Sequence, residues 1–321
     1  MCITCEKVIL VTHSMGGIVA RAAMKVAGAE GKVLGVVHGV QPAYGAPTAY
    51  TRMKSGFEGN FVASNMLGPS GKDLTALLAN SIGGLQLLPG KFYKTSGGAT
   101  AWLEVPGRGT LPKGGDPFSE IYRVPAVVDP EPGKGASQNT YWGLVDPALL
   151  TPTDVKTKPK DSPTDDDMLV VKGMKAAWTS YLANLAEAES LLDALEAYRH
   201  PKTWWFNGSE ITTPETVAFD ISSNWFQSEH YPSRGFRGLL RGSDGNDQQA
   251  QFKDAVGSGD GTVPTTSSSF NGDAPGSPAA PNHATFASLK HQPAYEQATV
   301  KTWATAAITA IAGLHFKDKK G

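Results

Sequence analysis

Scarce residue types exclude several kinds of site and segment. Only two cysteines occur, Cys2 and Cys5. Two cysteines cannot close a zinc site without further ligands, and a redox role needs a helix after the pair, whereas a strand-like segment follows here. No apolar run reaches the ~18 residues that span a bilayer. Glu6 and Lys7 stand where a signal peptide would be apolar, so residues 1–10 are not expected to be a secretion signal.

An excess of charge of either sign is also missing. The 321 residues carry a formal net charge of -1 and are 40% apolar. These values are typical of a soluble globular protein with a sizeable core and give no reason to expect a nucleic-acid partner. Without a signal peptide or membrane span, we expect the chain in the cytoplasm of its producing cell, with export by a signal-independent route as the alternative. Glycine and proline are abundant, at 36 and 22 residues, and concentrate in loops.

A strand–helix–strand unit opens the chain. Residues 8–12 (VILVT) and 33–40 (VLGVVHGV) are apolar and rich in β-branched side chains, as in strands that are buried on both faces of a parallel sheet. The Ala-rich segment 18–29 between them predicts a helix. Such a βαβ unit predicts an α/β fold, with a mostly parallel sheet flanked by helices.

The middle of the chain lacks this strand–helix rhythm. Residues 56–163 are dense in Gly, Pro and aromatic residues and predict an inserted cap or lid. Residues 168–199 repeat apolar side chains at three-, four- and seven-residue spacing, which predicts a long amphipathic helix. This helix either covers the core or forms a lid over an active site. We therefore divide the chain into a core segment 1–55, a cap 56–200 and a second core segment 201–321.

Further strands and a closing helix are predicted beyond the cap. Residues 203–206 (TWWF) predict a short strand, and 217–221 and 236–240 predict a hairpin or extra strands. Residues 292–313 predict the final helix, which packs one apolar side inward.

The hexapeptide THSMGG, at residues 12–17, lies directly between the first strand and the first helix. A nucleophile in an α/β hydrolase occupies such a strained turn, where small residues let strand and helix approach closely. Ser14 is therefore the predicted nucleophile, and the alternative is a serine that only caps the helix. The usual pattern is G-x-S-x-G. In this sequence Thr12 stands at the position of the first glycine, and Gly16 stands at the position of the second.

The neighbours of Ser14 have predicted roles of their own. The Met15 N–H is expected to be one oxyanion donor, because it lies at the positive end of the helix. His13 and Gly16 are expected to support the site or to face the substrate rather than to act as the general base.

A serine nucleophile needs a base, and the base needs an orienting carboxylate. Asp260 is the best acid, because glycines on both sides let the loop present its carboxylate. Since the chain order is serine, acid, histidine, the base should follow Asp260. His291, just ahead of the final helix, is preferred, and His283, in a Pro- and Ala-rich loop, is the runner-up. His38 is expected to be a satisfied core histidine.

Four segments together resemble a family of lipases. VTHSMGG at 11–17 and GDGTVP at 259–264 are similar to the branch of α/β hydrolases that includes lecithin:cholesterol acyltransferase and the GPI inositol-deacylase-like hydrolases. VVHGVQPAYGAPTAYTRM at 36–53 and LKHQPAYEQ at 289–297 resemble bacterial phospholipase effectors of type VI secretion more closely still.

This resemblance implies hydrolysis of lipid-like or other esters, with Ser14, Asp260 and His291 as the triad and with no metal or organic cofactor. It also implies transient contact with a membrane surface, and a secretion-system component or an immunity protein as partner. Two alternative functions stay open: acyl transfer to an alcohol other than water, and a catalytically inactive remnant that serves as a binding module.

One part of such a fold has no counterpart in this sequence. The first four strands, and the loop that donates the second oxyanion N–H, would precede residues 8–12. We therefore expect the C-terminal portion of a longer protein, or one with a wrongly assigned start. An open sheet edge at 8–12 would expose apolar surface and predicts poor solubility of the chain alone.

Overall fold

The structure, a computed structural model, describes nine stretches of the chain. They are residues 6–55, 71–126, 140–150, 165–195, 198–222, 239–241, 247–253, 256–270 and 282–318. The cysteine pair at Cys2 and Cys5 and residues 151–163 of the predicted cap lie outside these stretches.

Ten strands and seven helices are labelled here in chain order among the described residues. The strands are β1 Val8–His13, β2 Val33–Gly39, β3 Leu103–Val105, β4 Gly109–Leu111, β5 Thr203–Ser209, β6 Ile211–Ser222, β7 Leu239–Arg241, β8 Asp247–Phe252, β9 Val256–Gly259 and β10 His283–Ala287. The helices are α1 Gly16–Lys25, α2 Pro47–Ser55, α3 Gly71–Ala79, α4 Ile82–Leu85, α5 Asp165–Leu195, α6 Thr265–Ser268 and α7 Ala298–Asp318.

The central sheet has four strands in the order β1-β2-β5-β10. All three pairings are parallel, so the carboxyl ends of the strands meet at one edge. The sequences VILVTH and VLGVVHG explain β1 and β2, because β-branched side chains pack well on a pleated sheet. The predicted α/β fold with a mostly parallel sheet is confirmed.

Each strand of this sheet is followed by a non-glycine residue in the left-handed backbone region. These residues are Ser14 (φ 53), Val40 (φ 45), Glu210 (φ 68) and Ser288 (φ 53). The left-handed region is costly for side chains with a Cβ, and above all for β-branched ones. Ladder hydrogen bonds offset that cost, because the N–H groups of Ser14, Val40 and Ser288 each still donate to a carbonyl of the neighbouring strand.

Helices cover both faces of the sheet. On one face α7 packs Ala304, Ala307 and Ile311 against Val37 of β2. On the other face α1 packs Ala20 and Met24 against Val33 and Val36, and α5 lies beside α1. In such a three-layer arrangement, binding sites typically lie at the carboxyl edge of the sheet.

The largest core cluster takes most of its residues from between Ala79 and Leu192 rather than from the central sheet. α5 buries Tyr181, Leu185, Ala188 and Leu192 in it, which is the arrangement expected of a helix that covers a core. A second sheet, in the order β4-β3-β6-β8-β7 with β9 paired to β6, takes strands from both sides of residue 200. The division into segments 1–55, 56–200 and 201–321 remains a prediction.

Two sequence predictions differ from the structure, and one pair of alternatives is decided by it. His283 begins strand β10 instead of lying in a loop, because a short HATFA segment pairs with β5. The final helix begins at Ala298 rather than at 292, since the intervening residues form a loop and a 3-10 turn. Of the two alternatives predicted for 217–221 and 236–240, the described residues form extra strands rather than a hairpin, because β6 and β7 each pair with β8.

The edge strand β1 and helix α1 expose apolar side chains. Of the seven large apolar residues that are exposed among those described, five lie on or beside these two elements: Val8, Val11, Met15, Val19 and Val26. No described strand pairs with the outer side of β1. Within the described residues, no helix is both long enough and apolar enough to cross a lipid bilayer.

Candidate active site

Ser14 lies at the tip of the turn between β1 and α1. Its φ of 53 places it in the left-handed region, where a serine is held only by its surroundings. Its N–H donates to Gly39 O at 2.9 Å, so the backbone at Ser14 is fixed to β2. The predicted nucleophile therefore projects from the carboxyl edge of the sheet.

Close packing beneath this turn falls on Gly17 rather than Gly16. A Cβ on Gly16 would meet Thr12 Cβ at 3.8 Å, an ordinary contact, whereas one on Gly17 would lie 2.5 Å from Gln41 Cδ. Gln41 is 1% exposed, and neither atom of its carboxamide has a hydrogen-bond partner within the described part of the chain. The approach of α1 to the loop after β2 thus depends on Gly17.

His291 lies between Ser14 and Asp260. Its Nε2 is 2.8 Å from Ser14 Oγ, and its Nδ1 is 2.7 Å from Asp260 Oδ2. Because a carboxylate only accepts, Nδ1 carries the proton and Nε2 is free to accept from the serine hydroxyl. The His291 N–H also donates to Asp260 O at 3.0 Å, so side chain and backbone are both attached to Asp260.

Asp260 is buried and follows strand β9. The N–H groups of Thr262 and Val263 donate to its Oδ1 at 2.9 and 2.7 Å, which leaves Oδ2 facing His291. A Cβ on Gly208 would lie 2.8 Å from Asp260 Cβ. Glycine at the end of β5 is therefore required for Asp260 to reach this position.

The first turn of α1 provides donors beside Ser14. It contains no acidic residue, and no side chain caps it. The amide dipoles at this helix end favour negative charge. Met15, which precedes the helix, is 40% exposed, and its N–H remains the predicted donor to a developing oxyanion.

His13 contacts His291, and His283 lies elsewhere. His13 Nε2 donates to His291 O at 2.8 Å, and the two rings are 5.1 Å apart. His283 is stacked on Trp205 and hydrogen-bonds to Asn207 Oδ1. Because His283 begins β10 while Ser14 lies beyond the opposite, carboxyl end of the sheet, the structure does not bring these two residues together.

Two contacts of the site were not predicted from the sequence. Tyr295 Oη donates to Thr12 O at 2.9 Å. His38 Nδ1 is 2.7 Å from Thr12 Oγ1, although its Nε2 has no partner among the described residues, so the expected core histidine is only half satisfied. Burial lowers the pKa of His38 to about 3, so its ring is neutral, and its tautomer determines whether Nδ1 accepts from the threonine hydroxyl or donates to it. Both contacts join segments that are far apart in the chain, so no local sequence motif could predict them.

Comparisons with known proteins support the fold and the resemblance that the motifs indicated. Residues 3–84, which include the turn at Ser14, match the family model described as the PGAP1-like alpha/beta domain. A chain of the crystal structure of the Tle4-Tli4 complex superposes with a TM-score of 0.67 at 25% identity, over 97% of this chain. No curated protein matches.

The structural match also gives a measure of length. The present chain spans 60% of the chain that it matches. The chain thus has an α/β fold with a mostly parallel sheet, similar to the PGAP1-like alpha/beta domain over residues 3–84 and to the Tle4-Tli4 structure over nearly its whole length.

Proposed function

We propose that the protein is a serine ester hydrolase with Ser14 as nucleophile, His291 as general base and Asp260 as the orienting acid. One observation carries this proposal: the hydrogen-bonded series Ser14 Oγ, His291 Nε2, His291 Nδ1 and Asp260 Oδ2, with distances of 2.8 and 2.7 Å. Both distances lie within the reach that proton transfer between a nucleophile and its base requires.

The reaction follows from the roles of these atoms. Ser14 Oγ attacks the acyl carbonyl as His291 Nε2 takes its proton, and the Met15 N–H stabilises the oxyanion. Collapse of this intermediate expels the alcohol, which takes the proton from Nε2, and leaves an acyl-serine. Water then attacks the acyl-serine, with His291 again accepting and returning the proton, and the carboxylic acid leaves. Asp260 accepts the hydrogen bond from Nδ1 throughout and stabilises the imidazolium.

Resemblance supports a lipid-like ester as the substrate and a protein as the partner. The motifs at 11–17 and 259–264 are those of a lipase branch, and the segment 36–53 resembles type VI phospholipase effectors. The structure that this chain matches is itself a complex of two proteins, Tle4 and Tli4. An immunity protein or a secretion component is accordingly the proposed partner.

A fluorescent fluorophosphonate tests the nucleophile directly, because it labels a serine that its base has already activated. We expect labelling of the wild-type chain and none of Ser14→Ala. Ser288→Ala is the matched control, since Ser288 also has a left-handed backbone at the end of a parallel strand. His291→Gln should reduce labelling by a factor of about 10³ or more, whereas His283→Gln should leave it within a few fold.

The substrate can be identified by assaying a panel of phospholipids, acylglycerols and short-chain esters and analysing the products with and without an added acceptor alcohol. Release of free fatty acid in both conditions supports hydrolysis, and acyl ester formed only with the alcohol identifies a transferase. Labelling of Ser14→Ala as strong as that of the wild type would refute the assignment of Ser14. A folded wild-type chain that is not labelled would refute the proposed activity for this chain.

A further inference from the structure

Two hydrogen bonds outside the proposed triad join the turn at the nucleophile to the loop of the histidine. We call residues 12–14 the elbow and residues 291–295 the histidine loop. His13 Nε2 donates to His291 O at 2.8 Å, and Tyr295 Oη donates to Thr12 O at 2.9 Å. One bond runs from the elbow to the loop and the other runs back, so the two segments are attached at both ends.

The acid side of His291 is already held without these bonds. Its N–H donates to Asp260 O at 3.0 Å, and its Nδ1 donates to Asp260 Oδ2 at 2.7 Å. On the serine side the triad supplies one bond, Nε2 to Ser14 Oγ. The proton of that bond moves in each step, and the bond is absent while the serine is acylated. It cannot by itself hold the elbow at a constant distance from the histidine loop.

The two additional bonds persist through these steps, because neither donor takes part in proton transfer. A carbonyl oxygen can only accept, so His13 must carry a proton on Nε2 whether its ring is neutral or charged. Burial raises the pKa of Tyr295 above its usual value, which keeps the hydroxyl protonated and donating. The Tyr295 ring is fixed edge-to-face against Phe206, with ring centroids 5.1 Å apart, so its hydroxyl is not free to swing away.

Backbone geometry at β2 makes room for this arrangement. A Cβ on Gly39 would lie 2.7 Å from Tyr295 Cε2 and 2.6 Å from Phe206 Cζ. Tyr295 therefore lies directly against the end of β2, the strand whose Gly39 carbonyl accepts the N–H of Ser14. The hydroxyl bond to Thr12 and the ring contact at Gly39 fix the elbow from two sides.

We propose that His13 and Tyr295 are positioning residues that form a clamp between the elbow and the histidine loop and hold Ser14 at its distance from His291 through the reaction. The effect of the clamp on catalysis depends on the proposed function. A displacement of about 1 Å in such a pair costs up to about 10²-fold in rate, so loosening either bond should lower turnover without changing substrate affinity.

Kinetics of the full chain on a soluble nitrophenyl ester test the clamp. Tyr295→Phe removes only the hydroxyl, and His13→Leu removes the donor. We expect each to lower kcat by about tenfold with KM within about twofold, because a residue that only positions Ser14 acts on the chemical step and not on substrate binding. His13→Gln, whose amide can donate to His291 O, should recover much of the loss. Tyr198→Phe is the control, since it removes a hydroxyl that bonds to Glu30, away from the site.

Hydrogen exchange gives a second readout that needs no activity. In Tyr295→Phe and His13→Leu, amides of residues 289–297 should exchange faster than in the wild type, and amides of α5 should exchange at an unchanged rate. In the control Tyr198→Phe, amides of residues 289–297 should exchange as in the wild type. Unchanged exchange and unchanged kcat in both variants would overturn the clamp. A kcat that falls equally in His13→Gln and His13→Leu would also overturn it, because the hydrogen bond would then not be the cause. If the wild type hydrolyses no ester, the proposed function fails, and exchange alone decides on the clamp.

Discussion

Replacing Gly17 by alanine tests how closely the helix of the elbow packs on the loop after β2. The new Cβ would lie 2.5 Å from Gln41 Cδ, 2.6 Å from Cγ and 2.8 Å from Oε1. Such distances are too short for carbon contacts, so one of the two side chains must move. Gln41 is 1% exposed and has little space into which it can turn.

The magnitude follows from two opposing effects. Overpacking of a buried site costs about 1–3 kcal/mol, whereas alanine stabilises a helix by about 1 kcal/mol relative to glycine. Gly17→Ala should therefore destabilise the wild type by up to about 2 kcal/mol. In a Gln41→Ala background the clash is gone, and the same change should stabilise the protein by up to about 1 kcal/mol. The coupling between the two sites is then about 1–3 kcal/mol in free energy of unfolding.

Urea unfolding of the four proteins in this cycle measures that coupling. The slopes of the transitions must agree, so that midpoints report stability and not a change in the unfolded state. Fluorophosphonate labelling rates, measured in parallel, show whether a shift of α1 reaches Ser14, three residues away. Additive effects of Gly17→Ala and Gln41→Ala, with coupling below about 0.5 kcal/mol, would refute the reasoning.

Two further predictions concern a buried lysine and the open edge of the sheet. Lys54 Nζ donates to the carbonyls of Tyr141 and Gly143, and burial lowers the pKa of Lys54 from 10.5 to about 7. Between these two pH values the unfolded chain therefore binds more protons than the folded chain. The free energy of unfolding should accordingly rise with pH from about 7 to 10. Lys54→Met should remove this rise in urea unfolding measured at several pH values, and an equal slope in the variant would contradict the assignment. Val11 and Val19 are 49% and 57% exposed. Val11→Lys and Val19→Lys should therefore reduce aggregation, measured by light scattering, at an unchanged melting temperature. Undiminished aggregation would show that another surface is responsible.

Local sequence was sufficient to predict the reacting groups of the candidate site. Strand, serine turn and helix follow one another without interruption, so the elbow at Ser14 is a local feature. Asp260 lies between two glycines, and His291 precedes the last helix. Chain order and flanking residues therefore indicated all three residues, and the structure places His291 within hydrogen-bonding distance of both Ser14 and Asp260.

Contacts between distant segments could not be predicted in the same way. Tyr295 and Thr12 are 283 residues apart, and His13 and His291 are 278 apart, so no periodicity or motif connects them. β6 was predicted only in part, because Pro214 and several threonines interrupt its apolar pattern. His283 was expected in a loop because prolines and alanines precede it, whereas pairing with β5 makes it the start of a strand.

All four parallel strands of the central sheet end at a residue in the left-handed backbone region, and these strand ends lie outside residues 56–200. Ser14, Val40, Glu210 and Ser288 turn the chain out of the sheet, and the ladder hydrogen bonds of three of them are made within the sheet itself. The distances between the proposed reacting groups thus depend on strand ends that lie outside residues 56–200. Substitutions in segment 56–200 that leave β3 paired with β6 should accordingly change which substrates the proposed site admits, while the proposed reacting groups stay in register.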